Sequence, residues 1–115
     1  MRVKETDIQV FEGDDALVKV RLQERDADGV LQPFDLSTFD SLEFVVKADR
    51  NAVAAMFTYT SPTEITITDA AGGRFEIQFD ATDLATPGKY RHRVRTVEGT
   101  AKNTVMFGDL IVENV

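Results

Sequence analysis

Between the turn signals "DAAGG" and "ATPG" the sequence reads "RFEIQFD", and every second residue is large and apolar. Successive side chains of a strand point to opposite faces, so Phe75, Ile77 and Phe79 share one face and Arg74, Glu76, Gln78 and Asp80 share the other. A helix would scatter the same residues around its circumference. The stretch therefore demands a sheet with one dry face, and a second layer to cover that face.

The same alternation recurs along the chain. "DIQVF" offers Ile8 and Val10 to one side, and "ALVKVRLQER" sets Val18, Val20 and Leu22 against Lys19, Arg21, Gln23 and Arg25. "SLEFVVKA" turns Leu42, Phe44 and Val46 inward and Glu43 and Lys47 outward, and "EITIT" adds Ile65 and Ile67. "VLQPF" reads as a short edge segment, because its proline cannot donate to a ladder. "AVAAMFTYT" reads as a strand after a turn at "DRN", although its alanines also allow a helix. In "NTVMFGDLIVEN", Val105 and Phe107 keep one parity and Leu110 and Val112 the other, which predicts a β-bulge at Gly108 and Asp109. "ATDLATPG" is too short for a regular helix and predicts one 3₁₀ turn with Leu84 in the core.

Turn residues punctuate these runs at short intervals, which is the rhythm of an all-β sandwich or barrel. The expected fold is all-β: an immunoglobulin-like antiparallel β-sandwich of about seven to nine strands, with no long helix. It forms a single domain over residues 1–115. With no cysteine and no tryptophan, it lacks the disulfide and core indole of antibody domains.

Thirteen Lys and Arg against twenty Asp and Glu leave a net charge of −7. That balance argues against nucleic acid and against an anionic membrane surface as partners. No apolar run suits a signal peptide or a membrane span, so the expected product is soluble and made in the cytoplasm.

Against this acidity stands "KYRHRVRT", where Lys89, Arg91, Arg93 and Arg95 alternate with Tyr90, His92, Val94 and Thr96. The cations are expected on the wet face of a strand. Adjacency in sequence makes "RFEIQFD" the expected neighbour, with Glu76 and Asp80 supplying cross-strand ion pairs. Lys19 and Arg21 would enlarge the cationic patch if their strand lay alongside. These six residues, with the chain ends, are the candidate partner-binding set. His92, the only histidine, reads as an inward, hydrogen-bonded residue.

Little else suggests chemistry. "DADG" reads as a plain turn, because it lacks the spacing and the later glutamate of a calcium loop. Asp14, Asp15, Asp26 and Asp28 would gather a weak cation only if their loops met at one end of the sandwich. Ser37, Ser41 and Ser61 show no nucleophile-elbow pattern. The reading is a non-enzyme with no cofactor, no metal and no small-molecule substrate.

Three stretches carry a resemblance: "DLSTFDSLEFVVKA", "ITITDAAGGRFEIQFDATDLATPGKYRHRVRT" and "NTVMFGDLIVENV". Together with "EGDDALVKVRL" they resemble small β-sandwich structural proteins of tailed bacteriophages, in particular the N-terminal domain of the phage baseplate upper protein. The shared elements are "G-R-F-x-I-x-F", "P-G-x-Y-x-x-x-V" and a final "G-x-L-x-V". The resemblance implies a non-enzymatic virion component that docks onto other virion proteins and onto copies of itself. No coiled coil or receptor-binding module follows in this sequence, which leaves a baseplate, tail or adaptor subunit. The alternatives are a capsid decoration protein, or a stand-alone glycan-binding module presenting Tyr59 and Tyr90 on a concave face.

Overall fold

The structure, a computed structural model, describes residues 4–49 and 51–114. Arg50, within the turn expected at "DRN", and the extreme chain ends lie outside them. The described chain is all-β, and its one helical element is the expected 3₁₀ turn Ala81–Leu84. The strands are β1 (Lys4–Glu5), β2 (Ile8–Phe11), β3 (Leu17–Arg21), β4 (Gln23–Arg25), β5 (Leu31–Pro33) and β6 (Ser41–Lys47). They continue with β7 (Phe57–Thr60), β8 (Ile65–Asp69), β9 (Arg74–Gln78), β10 (Gly88–Glu98) and β11 (Ala101–Glu113).

The larger sheet runs β1–β11–β10–β6–β7, with β2 also on β11; the smaller runs β3–β9–β8, and β4 pairs with β5 alone. One hydrophobic cluster joins the two larger sheets. Phe44 and Val46 of β6, Val94 of β10 and Leu110 of β11 meet Phe75 and Ile77 of β9, Ile65 of β8 and the following Phe79. The residues expected to face inward on β9 are buried, and Arg74 and Gln78 are exposed, so the period-two pattern holds where it is clearest. At the centre the Phe44 ring meets Phe79 edge-on at 5.5 Å and stacks on Tyr59 at 6.1 Å. Such pairs add about 0.5–1.5 kcal/mol to what area burial alone provides.

The first two strands act as one interrupted edge. Both run parallel to β11 at a constant offset, Lys4 opposite Met106 and Ile8 opposite Leu110. Thr6 and Asp7 lie at the interruption, and there the chain passes close over Gly108. A Cβ on that glycine would sit 2.2 Å from the Thr6 carbonyl oxygen. The displaced backbone groups find other partners: His92 Nε2 bonds Thr6 O at 2.7 Å, and Asp109 N–H donates to Asp7 Oδ1 at 3.0 Å.

Three details differ from expectation. "ALVKVRLQER" is two strands rather than one. Leu22, buried between them, donates its N–H to Gly73 O and accepts from Phe34 N–H, and this turns the chain out of the β3–β9 ladder into the β4–β5 hairpin. The bulge in β11 lies earlier than predicted: the register against β10 slips between Met106 and Thr104, so Val105 is the extra residue. Met106, Gly108, Leu110 and Val112 then share the inward parity, and Phe107 faces outward. Finally, "AVAAMFTYT" forms a strand only from Phe57 onward.

Two substitutions test this account. Phe79→Ala removes the edge-on partner of Phe44 and should cost about 3–5 kcal/mol by denaturant titration. Gly108→Ala drives a methyl group into the Thr6 carbonyl. It should cost about 1–3 kcal/mol, with hydrogen-exchange protection lost first in β1 and β2.

Candidate partner-binding face

The eleven residues of β10 make it the spine of the larger sheet, paired with β6 on one side and β11 on the other. Its inward residues His92, Val94 and Thr96 are buried, and Arg91, Arg93 and Arg95 lie on the outer face. The expected orientation of the cationic strand is what the structure has.

Its expected neighbour is not. β9 lies in the other sheet, so neither Glu76 nor Asp80 reaches these arginines. Glu76 instead approaches Lys19 at 4.0 Å, and Asp80 caps the 3₁₀ turn, accepting from Thr82 N–H at 2.9 Å. The nine-residue connection between β9 and β10 carries the chain from one sheet to the other rather than back along one sheet. Lys19 and Arg21, on β3, are consequently separated from the β10 row, and Arg21 pairs across the ladder with Arg74, another cation.

The acids that serve β10 come from its true neighbours. Arg91 lies opposite Asp109 of β11, and its Nη1 meets Oδ1 at 2.6 Å, while Lys89 Nζ reaches Oδ2 at 3.3 Å. Arg95 lies opposite Glu43 of β6 and pairs with its Oε1; Lys102 Nζ reaches Oε2 at 3.1 Å. Each carboxylate thus holds two cations. Arg91 also lies over the Phe107 ring, 5.8 Å from its centre.

Arg93 differs from both its neighbours. The residues opposite it are Val45 on β6 and Phe107 on β11, and neither carries a charge. Among the described residues Arg93 makes no ion pair; its buried Nε, like that of Arg95, has no hydrogen-bond partner. It lines an open cleft of about 200 Å³ with Val45, Lys47, Asp49, Arg91 and Phe107. Asp49 Oδ1 accepts from the N–H groups of Asn51 and Ala52 in its own turn.

The titrating groups follow this geometry. Burial would raise the Glu43 carboxyl, but hydrogen bonds from Arg95 and Lys102 and their charges outweigh it and hold it below the usual carboxylate range. The Arg91 hydrogen bond, opposed by desolvation and aided by Lys89, holds Asp109 low as well. His92 is lowered by burial, against the raising effect of its bond to Thr6. A carbonyl can only accept, so Nε2 carries the proton of a neutral ring. Phe44 packs against that ring at 5.4 Å.

The remaining candidates fall in ordinary places. Tyr59 is buried, and burial together with its hydrogen bond to Asp83 raises its phenol. It therefore presents no exposed ring, contrary to the glycan-platform alternative. Tyr90 donates its hydroxyl proton to Thr86 O at 2.7 Å, closing the corner before β10. Asp26 accepts from the N–H groups of Asp28 and Val30, which makes "DADG" the turn that was expected. Asp14 and Asp15 precede β3 whereas Asp26 and Asp28 follow β4, so the four do not meet at one end. Among the described residues no group of three or more His, Cys, Asp or Glu is placed to hold a metal ion. Nor is any described helix long and apolar enough to cross a membrane. No protein-family model matches the chain, and no curated protein matches it either.

Sequence reading missed Glu43 and Asp109 as the counter-charges. Both were visible as acids, and Glu43 as an outward one, but which strands flank β10 is a property of topology.

The charge arrangement has measurable consequences. Glu43→Gln leaves Arg95 and Lys102 without a counter-charge and should cost about 1–3 kcal/mol by denaturant titration. His92 titrates below its unfolded value of about 6.5, so between the two values the unfolded state binds more protons. Stability is then complete above about pH 6.5 and falls as the pH drops toward the folded His92 value. The lowered Glu43 and Asp109 add a second loss, beginning near pH 4 and continuing through their folded values. Thermal melts between about pH 7 and 5 should show the first slope in the wild type, and His92→Gln should flatten it.

Proposed function

We propose that this chain is a non-enzymatic structural subunit of a tailed-phage virion, of baseplate, tail or adaptor type. It docks onto neighbouring virion proteins and assembles in multiple copies as an immunoglobulin-like sandwich. The motifs that carry the resemblance fall on coherent elements: "GRFEIQF" enters β9, "PGKYRHRV" opens β10, and "GDLIV" closes β11. The Tyr90 hydroxyl returning to Thr86 O resembles the hydrogen bond of the corner tyrosine in immunoglobulin-like domains, which supports this reading. His92, two residues later, stands where antibody domains place the second cysteine of their disulfide.

The observation that carries the docking role is where the apolar surface lies. Among the described residues, six large apolar side chains are about half exposed or more, and they fall in three pairs. Phe11 and Leu17 flank the β2–β3 connection, Val30 and Leu31 sit on the β4–β5 hairpin, and Val53 and Met56 lie between β6 and β7. Val53 is 95% exposed. β3, β7 and β8 are edge strands, each paired on one side only. Free edges beside apolar residues suit strand addition by a partner.

An antibody raised against the chain should decorate phage particles recovered from cells carrying the gene. Mass spectrometry of the purified particles should find the chain at a fixed ratio to a capsid or tail protein. Protein present in the lysate yet absent from particles, or a monomer that binds a glycan array, would overturn this reading.

A further inference from the structure

We infer that the cleft at Arg93 is a receptor for one carboxylate, presented by a Glu or Asp flanked by apolar residues on a different protein chain. The inference rests on the docking role proposed above and names the contact through which one partner is held.

The argument is one of local charge. The outer face of β10 carries three arginines in a row, and its neighbours supply acids to the first and third only. Arg91 is satisfied by Asp109, and Arg95 by Glu43. At the middle position, evolution of an acid on either flanking strand would have completed the pattern. Val45 and Phe107 stand there instead. Val45 is only 4% exposed, and Arg93 Nε is shut away from solvent without a partner. An unpaired, partly desolvated guanidinium destabilises the isolated domain. The same features favour binding. An incoming carboxylate meets a planar guanidinium whose inner nitrogen is already desolvated, beside the apolar side chains of Val45 and Phe107.

The chemistry of the occupant follows. Asp109 and Glu43 are each shared by two cations, and the chain as a whole carries −7, a balance that disfavours a nucleic acid backbone. The apolar walls match the flanks of a protein side chain and not a hydrated inorganic anion. A second copy of this chain brings a net charge of −7 toward another of the same sign, so a different chain is the better fit.

Arginine side-chain NMR reads this site directly. The probe is acetyl-Val-Glu-Val-amide, with the Gln peptide as its control. Addition of the Glu peptide should move the Arg93 Nε–Hε resonance saturably and leave those of Arg91 and Arg95 in place; the Gln peptide should move none. Arg93→Gln should weaken binding at least tenfold, and Arg93→Lys should weaken it less. Arg93→Leu should melt at or above the wild-type temperature, whereas Arg95→Leu should melt lower, because only Arg95 has an internal partner. Equal shifts at all three arginines, or a lower melting temperature for Arg93→Leu, sink the proposal. So does a response to inorganic phosphate that matches or exceeds the response to the peptide, or an Arg93 shift driven by protein concentration alone. If Arg93 fails to respond while the chain is still found in particles, the site falls and the docking role stands. The reverse result separates them the other way.

Discussion

Phe44 is where the two sheets become one structure. It projects from β6 in the larger sheet, and its ring is met edge-on by Phe79, stacked by Tyr59 and flanked by the His92 imidazole. Each partner comes from a different segment, and two of the four rings, Tyr59 and His92, carry polar groups that must be satisfied. Tyr59 donates to Asp83 at 2.7 Å and His92 bonds Thr6 O at 2.7 Å, so the core's aromatic centre reaches both the 3₁₀ turn and the N-terminal edge. A core without cysteine or tryptophan is held together here by rings whose polar atoms tie down the periphery.

On the outside of the same sheet the governing interaction is electrostatic. β10 places its cations at every second residue, and register alone determines what each one meets. Two carboxylates, Glu43 and Asp109, each bridge two cations, and both are held ionised by their partners. Ion pairs on an open surface contribute little, but Glu43 is 8% exposed, and a buried carboxylate must keep its partners. Arg93 stands apart because its neighbours on either side each have a carboxylate partner.

Much of this was legible in the chain. The inward sets of β6, β9 and β10, the turn at "DADG", the 3₁₀ turn with Leu84 and the inward His92 all follow from local rules: alternation, turn chemistry and one apolar side per strand. The errors were of another kind. The β11 bulge was assigned to Gly108 because a glycine at a parity change looks like a slip. In fact Gly108 keeps the inward parity, and it is glycine because Thr6 crosses over it. The run through Leu22 looked continuous because its alternation is continuous, yet the hydrogen bonds of Leu22 to Gly73 and Phe34 divide it.

By itself the sequence determined the class of fold and the face on which each side chain lies, because a strand's period of two is a property of its own backbone. Only the tertiary structure decided which strands are neighbours. β9 and β10 follow each other closely in the chain, but a short connection crosses between layers as readily as it folds back within one. Cross-strand partners depend on that choice. The acids beside Arg91 and Arg95, and the lack of one beside Arg93 among the described residues, therefore emerge only when the sheets are assembled.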